Sequence, residues 1–248
     1  MSVIRTADNK VIDTIQLNDV PYESSSPAGV KVSPDGRYIY VANRGTDNIS
    51  VVDSCLRQVV TDVPLPSGCH PLIIDIAPDG NLAYVTLMLS GQVGVIDLNT
   101  NLLVKLIDIG NSFPIGIDIA KHKPLALVSR QADSSLSMIN TDLAETSPDL
   151  IGAANTPFGL ILSPAADLVY TACQGEETVS IVDIFMHAEI ANIQAGDTPA
   201  WLGLTKDGKL LIVSDVLAGT VTIVNTRNYE ITGMVDLNSV LQLVAVKD

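Results

Sequence analysis

Two arginines, one histidine and three aromatic side chains recur at related places in this chain of 248 residues: Arg44, Arg130, His70, Phe113, Phe158 and Trp201. Guanidinium groups hold carboxylates and other anions through paired N–H donors. Aromatic rings offer flat apolar faces for stacking. A second set is Lys31, Asp75 and Asp118, spaced 44 and 43 residues apart. Two carboxylates beside one ammonium make an ion pair. With further oxygens they make a seat for a divalent cation such as calcium. Cys69-His70 has the residue types of a metal or nucleophile pair. Adjacent residues of an extended segment point opposite ways, however, so these two do not share a ligand. His122 and His187 fall in separate turns, which leaves no histidine cluster. No glycine-rich phosphate loop, nucleophile elbow or zincin motif is present, and no catalytic residue is assigned.

Composition narrows the partners. Hydrophobic residues make up 47 % of the chain and charged residues 17 %, which is core-forming material and no signature of disorder. A formal charge of -14 repels phosphate backbones, so nucleic acid is not an expected partner. No apolar run approaches the roughly 18 residues of a membrane span, so no membrane insertion is expected. The opening MSVIRTADNK lacks the basic-then-apolar pattern of a secretory signal. Three cysteines, Cys55, Cys69 and Cys173, are odd in number and carry no CxxC. They fit neither a disulfide framework nor a structural zinc site.

The candidate residues are positioned by a repeat. "SSPAGVKVSPDGRYIYVANRGTDNISVVDS" is followed by "CHPLIIDIAPDGNLAYVTLMLSGQVGVIDL" and then by three further copies. Pro27, Pro71, Pro114, Pro157 and Pro199 anchor them at separations of 44, 43, 43 and 42 residues. Each copy holds four β-rich runs divided by Gly, Asn, Asp and Pro, with no amphipathic helical stretch. In the first copy the runs are 28–33, 38–42, 49–53 and 58–63, named strands a to d. Short turns make each copy an antiparallel meander. Both faces of the strands are apolar (Ile49, Val51 and Val52; Val179, Ile181 and Val182), so both must be covered. Radially packed four-stranded blades meet that demand, and the period fits them.

The prediction is one all-β repeat domain over 1–248, a β-propeller. Its repeats run over about 25–67, 68–111, 112–154, 155–196 and 197–239. Residues 2–20 and 240–248 are expected to share a partial, sixth blade, the first as strands c and d and the second as strand a.

"SPDGRYIYVANRGTDNISVVD" and its cognates, with the P-x-G openings at Pro27, Pro114 and Pro157, resemble the YVTN-type β-propeller repeat. Similar proteins include surface-layer and periplasmic modules that bind proteins or glycans, and also lactonases and lyases acting at the central opening. The resemblance therefore implies an extracellular or periplasmic setting and leaves two functions open. The expected one is a non-catalytic binding module with a protein or glycan partner and no cofactor. The alternative is a lactonase- or lyase-like enzyme at the channel mouth.

Antiparallel parity puts the d–a and b–c loops at one end of each blade, and the a–b and c–d turns at the other. His70 and Phe113 precede anchoring prolines, Arg44 and Arg130 are read as following strand b, and Phe158 and Trp201 follow two of the prolines. All six fall at the loop-bearing end, the expected ligand surface. Lys31, Asp75 and Asp118 lie on strand a, in the register that would line a channel. The oligomeric state is not legible.

Overall fold

A computed structural model describes residues 1–17, 25–153 and 155–237. The described residues are all strand and turn, in five four-stranded antiparallel sheets and one two-stranded sheet. They fall in two compact units, Met1–Leu106 and Ile107–Asp248.

In the first unit, β1 (Ser2–Arg5) and β2 (Lys10–Thr14) form the two-stranded sheet. β3 (Pro27–Val32), β4 (Tyr38–Asn43), β5 (Asn48–Asp53) and β6 (Gln58–Pro64) make the first blade. β7 (Pro71–Ile76), β8 (Leu82–Leu87), β9 (Gln92–Asp97) and β10 (Leu102–Asp108) make the second. In the second unit the third blade is β11 (Pro114–Ile119), β12 (Leu125–Arg130), β13 (Ser135–Asn140) and β14 (Glu145–Gly152). The fourth is β15 (Pro157–Leu162), β16 (Leu168–Cys173), β17 (Thr178–Asp183) and β18 (Ala188–Gln194). The fifth is β19 (Pro199–Leu204), β20 (Leu210–Asp215), β21 (Thr220–Asn225) and β22 (Ile231–Asp236). Repeated four-stranded meanders of this kind are the blades of a β-propeller. The pairing of β1 with β2 agrees with the expected c and d strands of a partial blade, while residues 240–248 lie outside the described residues.

Local chemistry sets the turns. In the first a–b turn Gly36 takes φ 74°, and its amide donates to the Ser33 carbonyl at 2.8 Å. The Asp35 carboxylate accepts the Arg37 amide at 3.0 Å. Each c–d turn opens on an Asx residue whose side-chain oxygen accepts amides two or three residues on. Asp53 takes Cys55 and Leu56, Asp97 takes Asn99 and Thr100, Asn140 takes Asp142 and Leu143, and Asp183 takes Phe185 and Met186.

Packing between blades buries the apolar side chains of neighbouring sheets. Ala42, Ile49, Val51 and Val63 of the first blade meet Ile74, Ile76, Val85 and Leu87 of the second. Leu127, Leu136 and Ile151 meet Leu160, Val169 and Val182 in the second unit. There Tyr170, Val179 and Ile181 also meet Leu202, Leu211 and Val213. Each such aliphatic side chain contributes about 1.5–3 kcal/mol when fully buried. Blades approach most closely at strand a. A Cβ on Gly116 would lie 2.8 Å from the Phe158 carbonyl oxygen, and one on Gly159 would overlap that of Ala200. The P-x-G opening is therefore a packing requirement, since no side chain fits between the backbones.

One repeat position breaks the pattern. Val30 and Val32 of β3 are 47 % and 49 % exposed, whereas their cognates Ile74 and Ile76 are 2 % and 7 % exposed. Ile15 and Leu17, which follow β2, pack on Val41 and Val52 in β4 and β5. The partial blade thus covers the middle of the first blade and leaves its inner strand open among the described residues.

Candidate ligand-binding surface

The loop-bearing ends have a common construction. The residue before each anchoring proline offers its carbonyl to an amide beyond strand b. Arg44 donates to Ser26, Met88 to His70, Gln131 to Phe113, Gln174 to Thr156 and Val216 to Thr198, each at 3.2 Å. This ties the d–a loop to the b–c turn, as parity requires. Ser26, His70, Phe113 and Thr156 take left-handed φ values of 43°, 52°, 49° and 54°. For residues with a Cβ that conformation costs roughly 1–2 kcal/mol, so the surrounding bonds must hold it.

In the first unit, Arg44 is exposed at the tip of its turn and His70 is half-buried. His70 is fixed by its backbone: its carbonyl accepts the Met88 amide, and its amide donates to Asp47 Oδ1 at 2.9 Å. Asp47 Oδ2 accepts the Gly68 amide at 2.6 Å. Asp47 is a residue the sequence reading missed. Its cognates, Gly91, Ser134, Glu177 and Gly219, share its positive φ, and a carboxylate at a position twice filled by glycine was the available signal.

In the second unit, Phe113 is 39 % exposed beside the lead-in to β11. Arg130 requires a correction. It does not follow strand b in the register of Arg44. It is the last residue of β12, paired with Pro114, as Asn43 is paired with Pro27. Gln131 is the true cognate of Arg44, as the bond to Phe113 shows. A shift of one residue along a strand turns the side chain to the other face. Arg130 is accordingly only 9 % exposed, and its guanidinium pairs with Asp133, an anion the chain itself supplies. The guanidinium Nε is buried without a partner.

Phe158 and Trp201 are brought together. Their ring centroids are 5.0 Å apart with planes at 70°, an edge-to-face pair. Phe158 enters from β15 and Trp201 from β19, and both are half-buried. Gly159 makes the contact possible, because a Cβ there would come within 3.1 Å of the indole Cε3. Ser214 fixes the backbone beneath, accepting the Trp201 amide and donating to its carbonyl, both at 3.3 Å.

The strand-a set divides. Lys31 Nζ lies 2.6 Å from Asp75 Oδ1, and Asp75 is 4 % exposed. Asp75 Oδ1 also accepts the Ile76 amide at 2.9 Å. Asp118 belongs to the second unit, where its Oδ2 accepts the Leu162 amide of the neighbouring inner strand at 2.8 Å. The carboxylates thus tie strands to one another. Among the described residues no three His, Cys, Asp or Glu side chains gather closely enough to hold a metal ion.

Residues 20–125 match the YNCE-like beta-propeller family. No curated protein matches the chain significantly. Among solved structures, Kuenenia stuttgartiensis hydrazine synthase is similar in fold, with a TM-score of 0.74 at 23 % identity, covering 87 % of this chain and 67 % of that one. The strand pairing and both likenesses agree on one conclusion: the chain is a β-propeller.

Proposed function

We propose that this chain is a non-catalytic binding module of the cell surface or periplasm, and that it takes a protein or glycan partner at the loop-bearing ends of its blades. The observation that carries the reading is the Phe158–Trp201 pair, held edge to face at 5.0 Å and half-exposed on two adjacent blades. Partly exposed aromatic surface of this kind suits the C–H face of a sugar or an aromatic residue of a partner. The resemblance to YVTN-type repeats supports the extracellular setting. Asp75 already pairs with Lys31 and Asp118 already accepts the Leu162 amide, and the reading includes no bound cofactor.

Trp201 is the single tryptophan, so its emission reports the site directly. Titration with a panel of neutral oligosaccharides and tyrosine-containing peptides should shift the emission for at least one class, and Phe158→Ala should abolish the shift. An unchanged Trp201 spectrum across the panel would remove the site. Turnover of a lactone that is lost in His70→Ala would mark an enzyme instead.

A further inference from the structure

The c–d turns lie at the opposite ends of the blades. Their tips, between the Asx residue and the next strand, are Cys55-Leu56, Asn99-Thr100, Asp142-Leu143, Phe185-Met186 and Arg227-Asn228. The fourth stands apart, because it carries two large apolar side chains, 74 % and 63 % exposed. Both amides are fixed by Asp183 Oδ1 at 2.9 and 2.8 Å, so the tip is held out rigidly. A basic a–b turn flanks it on one side. Lys123 Nζ stands 5.0 Å from the Phe185 ring centroid while donating to the Ala166 carbonyl at 2.8 Å. Lys121 and His122 continue the same a–b turn, and both are exposed. A rigid aromatic anchor with lysines beside it, on a chain of charge -14, is an unusual surface for a solvated turn.

A surface of matching chemistry exists on the chain. At the loop-bearing end of the first blade an open cleft of about 410 Å³ is lined by Thr46, Asp47, Asn48, Asp62, Pro64 and Leu65, with Ser67 at its rim. Pro64 and Leu65 supply apolar surface, and Asp47 and Asp62 supply two carboxylates with no basic residue among the lining. The walls are braced. Asp47 holds the Gly68 and His70 amides, and Asp62 Oδ1 accepts the Ser50 hydroxyl at 2.6 Å.

We propose that the Phe185–Met186 tip of one copy seats in the Asp47–Asp62 cleft of a second copy. The apolar side chains cover Pro64 and Leu65 while Lys121 and Lys123 face the carboxylates. Charge complementarity favours this occupant: the Lys121 and Lys123 turn meets Asp47 and Asp62, whereas most of the remaining surface repels a like-charged copy. The contact joins unlike surfaces, so a pair held by one contact leaves one tip and one cleft free for further copies.

Sedimentation velocity on the full chain tests this, over a concentration series reaching about 1 mM, because so small a contact belongs to the weak class. The average mass should rise above the monomer as concentration increases. Phe185→Ser with Met186→Ser should stay monomeric, and so should Asp62→Lys. Both changes fall on exposed side chains; Asp62→Lys leaves the Ser50 hydroxyl its Leu17 carbonyl acceptor at 3.2 Å, and a cooperative melt confirms that each variant is folded. Mixing the two variants should restore one contact and give a dimer that grows no further. A monomeric wild-type chain at the highest concentration overturns the proposal. So does a variant that associates like the wild type, or a mixture that stays monomeric.

Discussion

The Asp47 carboxylate of the first blade accepts the His70 amide at 2.9 Å, locking the lead-in of the second blade to the b–c turn of the first. It also holds the Gly68 amide, so one side chain closes two otherwise open donors. Asp47→Ala should cost about 1–3 kcal/mol in urea unfolding, since both amides lose their partner. A variant as stable as the wild type would show that water replaces the carboxylate without loss.

Close approach at strand a gives a prediction with an internal control. Neither Gly159 nor Gly152 has a left-handed φ, so alanine strains neither backbone. A Cβ on Gly159 meets the Ala200 carbonyl, whereas one on Gly152 meets nothing within 4 Å. Gly159→Ala should destabilise by at least the 1–3 kcal/mol typical of overpacking. Gly152→Ala should be close to neutral. Equal effects in thermal melts would contradict the packing account.

Phe158 and Trp201 should couple. A double-mutant cycle of Phe158→Leu and Trp201→Leu is expected to give about 0.5–1.5 kcal/mol beyond the single losses, the range for edge-to-face rings. Coupling near zero would mean that each ring packs independently.

Titration in alkali should weaken the fold. Burial pushes the Cys69 and Cys173 thiols and the Tyr40 and Tyr170 hydroxyls up to about 12 each. For Cys69 the nearby Asp47 charge adds to the effect. In the unfolded chain these groups ionise near 8.5 and 10. The folded form therefore keeps protons that the unfolded form loses. This contribution is complete below about pH 8.5 and should be lost steadily as the pH rises toward 12. Native thiol alkylation at pH 8 should modify exposed Cys55 alone, and all three cysteines in denaturant. Rapid native labelling of Cys173 would show that its blade opens.

Much of this protein is legible in its residues because the information is local. Pro27, Gly36 and Asp53 mark turns through their own dihedral and hydrogen-bonding preferences. The 42–44-residue spacing of the prolines counts the blades without any long-range contact. Strand runs of Val and Ile with two apolar faces demand coverage on both sides, and the inter-blade cores supply it. The sites are another matter. Arg130 and Arg44 look equivalent until strand pairing shows Arg130 one residue earlier, facing inward against Asp133. Lys31 and Asp75 meet, but Asp118 turns to the Leu162 amide. Val30 reads like Ile74, yet it is exposed, while Ile15 and Leu17 pack on the middle strands instead. Phe158 and Trp201 lie 43 residues apart, and only the side-by-side seating of two inner strands, with a glycine between them, brings their rings together. Backbone turns and strand periods are decided within a few residues of chain. Which side chains touch depends on single-residue register and on the neighbouring blade, and those are set only when the blades pack.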